Sequence, residues 1–271
     1  MPTDARLSHL SRLHTLGLVF GPLRPFHFVV AGDLHLDVDD IFLHRTEVLP
    51  PCDEKGVTPA AAFIGFCATA RLIDAIVVGD WLLHREYMSA IEIAELARRD
   101  NWRPGAGQAR RVLPQLDGRA RSIKESETRV LLEFADLPAP EVNFDIVENG
   151  AFLACGDLVY IAWKLVVEYE GRQHAEDIGQ FNKDIGRYKQ LRRRHWDYEQ
   201  ITQESLRRPR EMVRSVHGRL VERGYDGPEP EFGARWQSLF EPIRTRSQRR
   251  AVAKRPIDSR DRSLTHRPKA G

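Results

Sequence analysis

The residues best placed to do chemistry are three carboxylates gathered around one short apolar run. Residues 164–169 carry Leu165, Val166, Val167 and Tyr169, the composition of a buried strand. Glu168 and Glu170 stand two apart, so on a strand they point to one face. Gly171 then ends the run, as glycine does where a chain must turn. Asp157, eleven residues upstream, lies in a second strand-like run over residues 153–161 and can bring a third carboxylate alongside. Carboxylates on a core strand are costly unless a cation or hydrogen-bond donors offset them. A hard divalent cation such as Mg²⁺ (or Mn²⁺), which takes oxygen ligands, meets that need.

The flanking sequence predicts the elements that must position these groups. Ser122 and Glu125 form an S-x-x-E capping box at the start of a helix running to about Phe134, and Pro138 and Pro140 end it. Residues 142–147 and 151–161 read as a hairpin around Glu148-Asn149-Gly150, where Asn-Gly is a strong turn signal. Residues 164–169 make the third strand. A long helix over 176–195 follows, with Phe181, Ile185, Tyr188 and Leu191 on one face and Lys183, Arg187 and Lys189 on the other. Residues 196–201 then form a fourth strand and 209–223 a closing helix. That order is an α/β pattern with a mixed sheet. Within the first helix, Val130, Leu131 and Phe134 define the buried face, and Glu127 falls on it, which leaves Glu125 as a cap.

At these residues the chain resembles the PD-(D/E)xK, restriction-endonuclease-like superfamily. More narrowly, Val167-Glu168-Tyr169-Glu170-Gly171, followed by His174, Phe181, Asp184, Arg187, Leu191 and Trp196, resembles the bacterial branch related to very-short-patch-repair endonucleases. The likeness spans roughly residues 122–224 and implies a restriction-endonuclease-like α-β-β-β-α-β core. It implies a Mg²⁺-dependent endonuclease acting on DNA in repair, restriction or phage defence. Asp157, Glu168 and the Tyr169 carbonyl would hold the metal; Glu125, Glu170 and His174 would join the catalytic set. Gln173, Lys183 and Arg187 would contact phosphates. The resemblance selects Glu125, four residues before Arg129, over Glu127. Two departures stand out: Glu170 occupies the superfamily's lysine position, and His195 stands where a glycine usually precedes the late tryptophan.

Residues 1–117 read as a separate α/β region. A mixed helical pattern covers 7–18, short strands cover 26–30 and 41–44, and Thr58-Pro59 marks a helix start. Helices are predicted over 60–70, 71–83, 89–99 and 108–116. Asp80 reads as a polar position within a packed helix, capping it or pairing with Arg85. His35, Asp37, Asp39, Asp40 and His44 fit no metal-ligand spacing. This region is similar to the C-terminal part of abortive-infection antitoxins, which implies a toxin or defence-system partner. In such relatives a winged-helix segment often comes first, and the chain begins at about the point where it would have ended.

Composition supplies bounds. The chain of 271 residues is 42% hydrophobic and supports one large core or two smaller ones. Its three cysteines, Cys52, Cys67 and Cys155, show no metal spacing, which predicts a reducing, cytoplasmic setting. No uninterrupted apolar run has membrane-span length, so no membrane partner is expected. The net charge of +2 conceals an asymmetry. Residues 244–271, part of a C-terminal extension from 229, hold ten Arg or Lys against two Asp; that +8 leaves −6 for the rest. A tail of this composition is expected to be disordered, with non-specific phosphate affinity. Three classes remain open at this level: a metal-dependent nuclease, a catalytically degenerate DNA-binding or antitoxin-like regulator, and a scaffold whose acidic face pairs with Arg129 or Arg172.

Overall fold

The computed structural model describes residues 4–170 and 191–243. It is an α/β structure with mixed sheets. The N-terminal half opens with β1 (Arg6–Leu7), α1 (His9–His14), β2 (Phe26–Ala31) and β3 (Ile41–Thr46). β1 pairs antiparallel with β2, and β2 pairs parallel with β3. The helix expected over 7–18 is therefore shorter: Leu7 belongs to a strand, and Ser8 in extended backbone starts α1. A small ribbon of β4 (Cys52–Asp53) and β5 (Gly56–Val57) leads to α2 (Pro59–Cys67), whose first turn Thr58 caps by accepting from the Ala61 N–H. Helices α3 (Leu72–His84), α4 (Ala90–Arg99) and α5 (Ala106–Val112) complete this half.

Helix α6 (Ile123–Phe134) opens the second half, capped by the Ser122 hydroxyl, which accepts from the Glu125 N–H. A four-stranded sheet follows in the order β6 (Glu141–Glu148), β7 (Ala151–Tyr160), β8 (Leu165–Tyr169) and β9 (Asp197–Ile201). The first two junctions are antiparallel and the last is parallel. Asn149 and Gly150, both at positive φ, make the predicted two-residue turn between β6 and β7. After β9 come α7 (Gln203–Arg207) and α8 (Pro209–Glu222). The chain then returns to the N-terminal half. Trp236 of α9 (Ala234–Gln237), Leu239 and Ile243 are buried, and Ile243 and Leu72 exchange backbone bonds with Ala70 and Glu241 around that return.

One apolar cluster runs through both halves, from Leu13 and Phe63 to Leu131, Leu165, Val167 and Leu220. The segments on either side of residue 117 therefore share a core. A smaller cluster of Ile146, Val159, Val166, Leu191 and Trp196 covers the opposite face of the four-stranded sheet. Asp80 fastens α3 to α6. It has no exposed surface, and it accepts from the Ser126 hydroxyl at 2.6 Å, Arg129 Nη2 at 2.8 Å and the Asp117 N–H at 2.7 Å. Its partner is thus Arg129 rather than the expected Arg85, because Arg85 lies at the C-terminal cap of Asp80's own helix while α6 packs across it. Burial pushes the Asp80 carboxyl above its ordinary value, and these donors pull it back.

On the N-terminal sheet, three histidines meet. His9 stacks on His44 with ring centroids 3.7 Å apart, and His27 Nδ1 lies 2.9 Å from His44 Nε2. His35, by contrast, stands beside Arg45 and Asp33. Burial, then His44 and His27, hold His9 well below its ordinary value; burial, then His27, lower His44 to about 4. Burial, then His14, lower His27 as well.

Two outcomes follow from this packing. Asp80→Ala leaves the buried Arg129 only Glu133 as an ion-pair partner, with the Gln115 carbonyl, and the urea midpoint should fall by an amount equivalent to roughly 3 kcal/mol. For the histidines, the unfolded chain takes up protons below the ordinary value of 6.5 that the folded chain refuses. Their contribution is therefore present above that value and lost as pH falls towards 4. The melting temperature should drop by several degrees between neutrality and about pH 5, above the carboxylate range, and His44→Phe should flatten the slope.

Candidate functional site

β7 and β8 face each other with Leu158 opposite Val167, which makes Asp157 and Glu168 the next facing residues. The Tyr169 N–H donates to Asp157 Oδ2 at 3.1 Å and closes that rung. A strand residue sends its N–H and C=O towards the same neighbour, so the Tyr169 carbonyl is directed to the edge where Asp157 stands. Glu168 is only 7% exposed, and the Tyr198 hydroxyl donates to its Oε2 at 2.9 Å. β9 lies alongside with Gln200 opposite Glu168.

The other neighbour of Asp157 is Asn143 on β6, bracketed by the pairs Val142–Leu158 and Phe144–Gly156. Asn143 takes φ +46°, in the left-handed region that asparagine tolerates better than most residues. Its amide donates to Glu125 Oε2 at 2.9 Å and to the Arg119 carbonyl at 2.8 Å. One level of the sheet therefore carries Asn143, Asp157, Glu168 and Gln200 on four successive strands. Glu125 joins it from the first turn of α6.

The local sequence explains why the strands depart from simple alternation here. Val142 packs in the main core and Ile146 in the outer cluster, although they are four positions apart. The left-handed Asn143 between them resets the facing. On β7, Ala154 and Val159 share the outer cluster although five residues apart. Between them lies Gly156, where a Cβ would come within 2.7 Å of the Val159 side chain and 2.8 Å of Val166. Only a hydrogen fits, and Asp157 follows directly.

Glu125 is 9% exposed, and its Oε2 also accepts from the Arg121 N–H at 2.9 Å. Glu127, which the periodicity placed on the buried face, is instead half-buried and paired with Lys124. Residues at a helix start meet the neighbouring sheet rather than the helix's own apolar stripe. Glu170 is exposed, and its N–H donates to the Ile201 carbonyl at 2.8 Å, so the ladder with β9 continues one residue past β8. Arg129 serves Asp80 and Glu133, which removes it as the counter-ion of the strand carboxylates. Gln173, His174, Lys183 and Arg187, with Arg172, most of the helix expected over 176–195 and the tail from 244, lie outside the described residues.

Among the described residues, no three His, Cys, Asp or Glu side chains stand close enough together to hold a metal ion. A metal at this rung would rest on Asp157, Glu168 and the Tyr169 carbonyl, with water completing the shell. Mg²⁺ tolerates that arrangement, since it keeps several waters and needs only one or two carboxylates. Asn143, Tyr198 and Gln200 are the site's additions to the sequence reading. Tyr198 alternates with Gln200 on a strand, but its contact with Glu168 depends on the parallel register of β9, which sequence does not encode locally.

Gly156→Ala forces a methyl against two buried valines. It should cost about 1–3 kcal/mol, read as a lower melting temperature by calorimetry.

No family model matches the chain, and no solved structure matches it. It is similar to two uncharacterized proteins of Mycobacterium tuberculosis, from strains CDC 1551 and H37Rv, each 27% identical over 150 residues. The match covers 55% of this chain and 55% of each relative, so the chain spans about half the length of the curated relatives it matches. No helix among the described residues is long and apolar enough to cross a membrane.

Proposed function

We propose that this chain is a Mg²⁺- or Mn²⁺-dependent endonuclease that hydrolyses DNA phosphodiester bonds. One observation carries the reading: Asp157 and Glu168 face each other on adjacent strands at a single rung, beside the Tyr169 backbone. Two carboxylates on neighbouring strands beside a backbone carbonyl are the oxygen donors that a hard divalent cation takes. The element order α6, β6, β7, β8, then β9 and α8, accords with the restriction-endonuclease-like core that the sequence resembles. His195 adds a detail. It takes φ +62°, the conformation that glycine adopts without cost, at the position where the resembling branch carries glycine.

In this reading Asp157 and Glu168 hold the cation beside the scissile phosphate. The bound ion would lower the pKa of a water and steady the charge that develops on the phosphate. Tyr198 orients Glu168 through its hydroxyl, and Asn143 keeps Glu125 at the edge of the site. Glu170, an exposed carboxylate just past β8, would stand in for the superfamily's lysine and orient the attacking water or share a second ion. The DNA would be held by Gln173, Lys183 and Arg187, with His174 as a proton donor or acceptor. A repair, restriction or phage-defence role, in the cytoplasm and with a toxin or defence partner for the N-terminal half, belongs to the same proposal.

The test is nicking of supercoiled plasmid with Mg²⁺ or Mn²⁺. Wild type should convert it to open circle, and chelation should stop the reaction. Asp157→Ala and Glu168→Gln should each lose about 100-fold in rate, roughly 2.7 kcal/mol of transition-state stabilisation. Tyr198→Phe should cost less and mainly shift the metal concentration needed. DNA binding without metal-dependent cleavage would point instead to a regulator that kept the fold.

A further inference from the structure

The N-terminal half holds a cavity of about 490 Å³, remote in sequence from the carboxylate rung, between β2 and β3 on one side and α2 and α4 on the other. Its volume lies in the range that takes a small organic ligand. Val29, Ile64 and Leu96 give it apolar walls, and His9, Phe42 and His44 line it as well. Three features are hard to explain by packing alone.

First, His9 takes φ +49°, an uncommon conformation for a residue other than glycine, and lies at the cavity wall. Its ring is wedged between His44 and Gly65, where a Cβ would come within 2.9 Å of the imidazole. Second, one nitrogen of each imidazole is already used. His9 Nδ1 meets the Ser8 hydroxyl at 2.9 Å, and His44 Nε2 meets His27. His9 Nε2 and His44 Nδ1 have no hydrogen-bond partner among the described residues, and a neutral imidazole nitrogen can serve as donor or acceptor. Third, Phe42 lines the cavity and is 52% exposed, although its ring also packs against His44 with centroids 4.7 Å apart. Arg45, also in the lining, is half-exposed and held by Asp33, a carboxylate that is itself 85% exposed and easily exchanged for another anion.

We propose that this cavity binds a mononucleotide. Its flat heterocycle lies on the Phe42 ring, its edge meets the open imidazole nitrogens, and its phosphate takes the place of Asp33 at Arg45. Each demand of the ligand has a counterpart on the wall: stacking, in-plane hydrogen bonding and one anionic contact. The site is separate from the carboxylate rung, and the proposal does not rest on nuclease activity.

The test is calorimetric titration of the full chain near neutral pH with AMP, GMP, CMP and UMP. Nucleosides, inorganic phosphate and a short single-stranded oligonucleotide form the comparison arms. At least one mononucleotide should bind with Kd below about 1 mM, with its nucleoside and free phosphate each weaker by about tenfold or more. Phe42→Ala and Arg45→Gln should each weaken binding by about fivefold or more, while Asp157→Ala leaves it unchanged. Arg45→Gln changes a half-exposed side chain, so it reads out binding even if Phe42→Ala fails to fold. Absence of binding by all four mononucleotides, binding unchanged in Arg45→Gln, or preference for the oligonucleotide over every mononucleotide would overturn the assignment.

Discussion

A carboxylate with no exposed surface at the junction of two helices sets the frame for everything else. Asp80 on α3 draws three donors, two of them from α6. Breaking such a pair leaves an uncompensated charge in the interior, which costs several kcal/mol, so the helices have one admissible register rather than a range. The consequence reaches the candidate site. The helix that gives Ser126 and Arg129 to Asp80 also gives Glu125 to Asn143, one residue before Ser126. Sliding α6 by a turn would break the buried pair and the link to the sheet together. A buried ionic contact here buys position more than stability.

The sheet then converts that position into a local arrangement of charge. Both faces are covered, by the main core and by the smaller cluster around Val166 and Trp196, so a polar residue in the middle of a strand has nowhere to hide. Glu168 is tolerated because Tyr198 reaches it from the next strand, and Asp157 because a peptide N–H meets it. The left-handed Asn143 stands at that level on β6, and the crowded Gly156 immediately precedes Asp157 on β7. Local irregularity and buried charge coincide at one place, which is where functional demands usually override the regular pattern.

Much of this was legible in the sequence, and the reason is locality. The Asn149-Gly150 turn, the Thr58 and Ser122 caps and the apolar run of β8 are all written within a few neighbouring residues. What escaped depends on distant pairing. Asp80 reaches Arg129, 49 residues away, where a sequence reading prefers the nearby Arg85. Leu7 joins a strand because Phe28 is there to pair with it. The meeting of His9, His27 and His44 needs α1, β2 and β3 to be assembled first. At the site, the three carboxylates could be read from their types and spacing, and Glu125 from its place in a pattern. Asn143, Tyr198 and Gln200 could not, since only the register of β6 and β9 shows which level they occupy.

In the proposed nuclease, Glu170 is the residue on which the chemistry would turn. A lysine at that position would bring positive charge to the developing phosphate charge and would lessen the burden on any cation. A carboxylate would do the opposite: in the proposed nuclease it would add to the negative charge that Asp157 and Glu168 bring to a bound phosphate. Repulsion of that kind between close unit charges is several kcal/mol at the effective dielectric of a protein surface. Binding and hydrolysis at such a site would therefore depend on cations more steeply than at a site with lysine in that position. The Glu170 N–H still pairs with the Ile201 carbonyl, so the residue stays two on from Glu168 along the strand line. A residue held in line yet exposed can meet a solvent-borne ion or water without the desolvation that Glu168 has already paid.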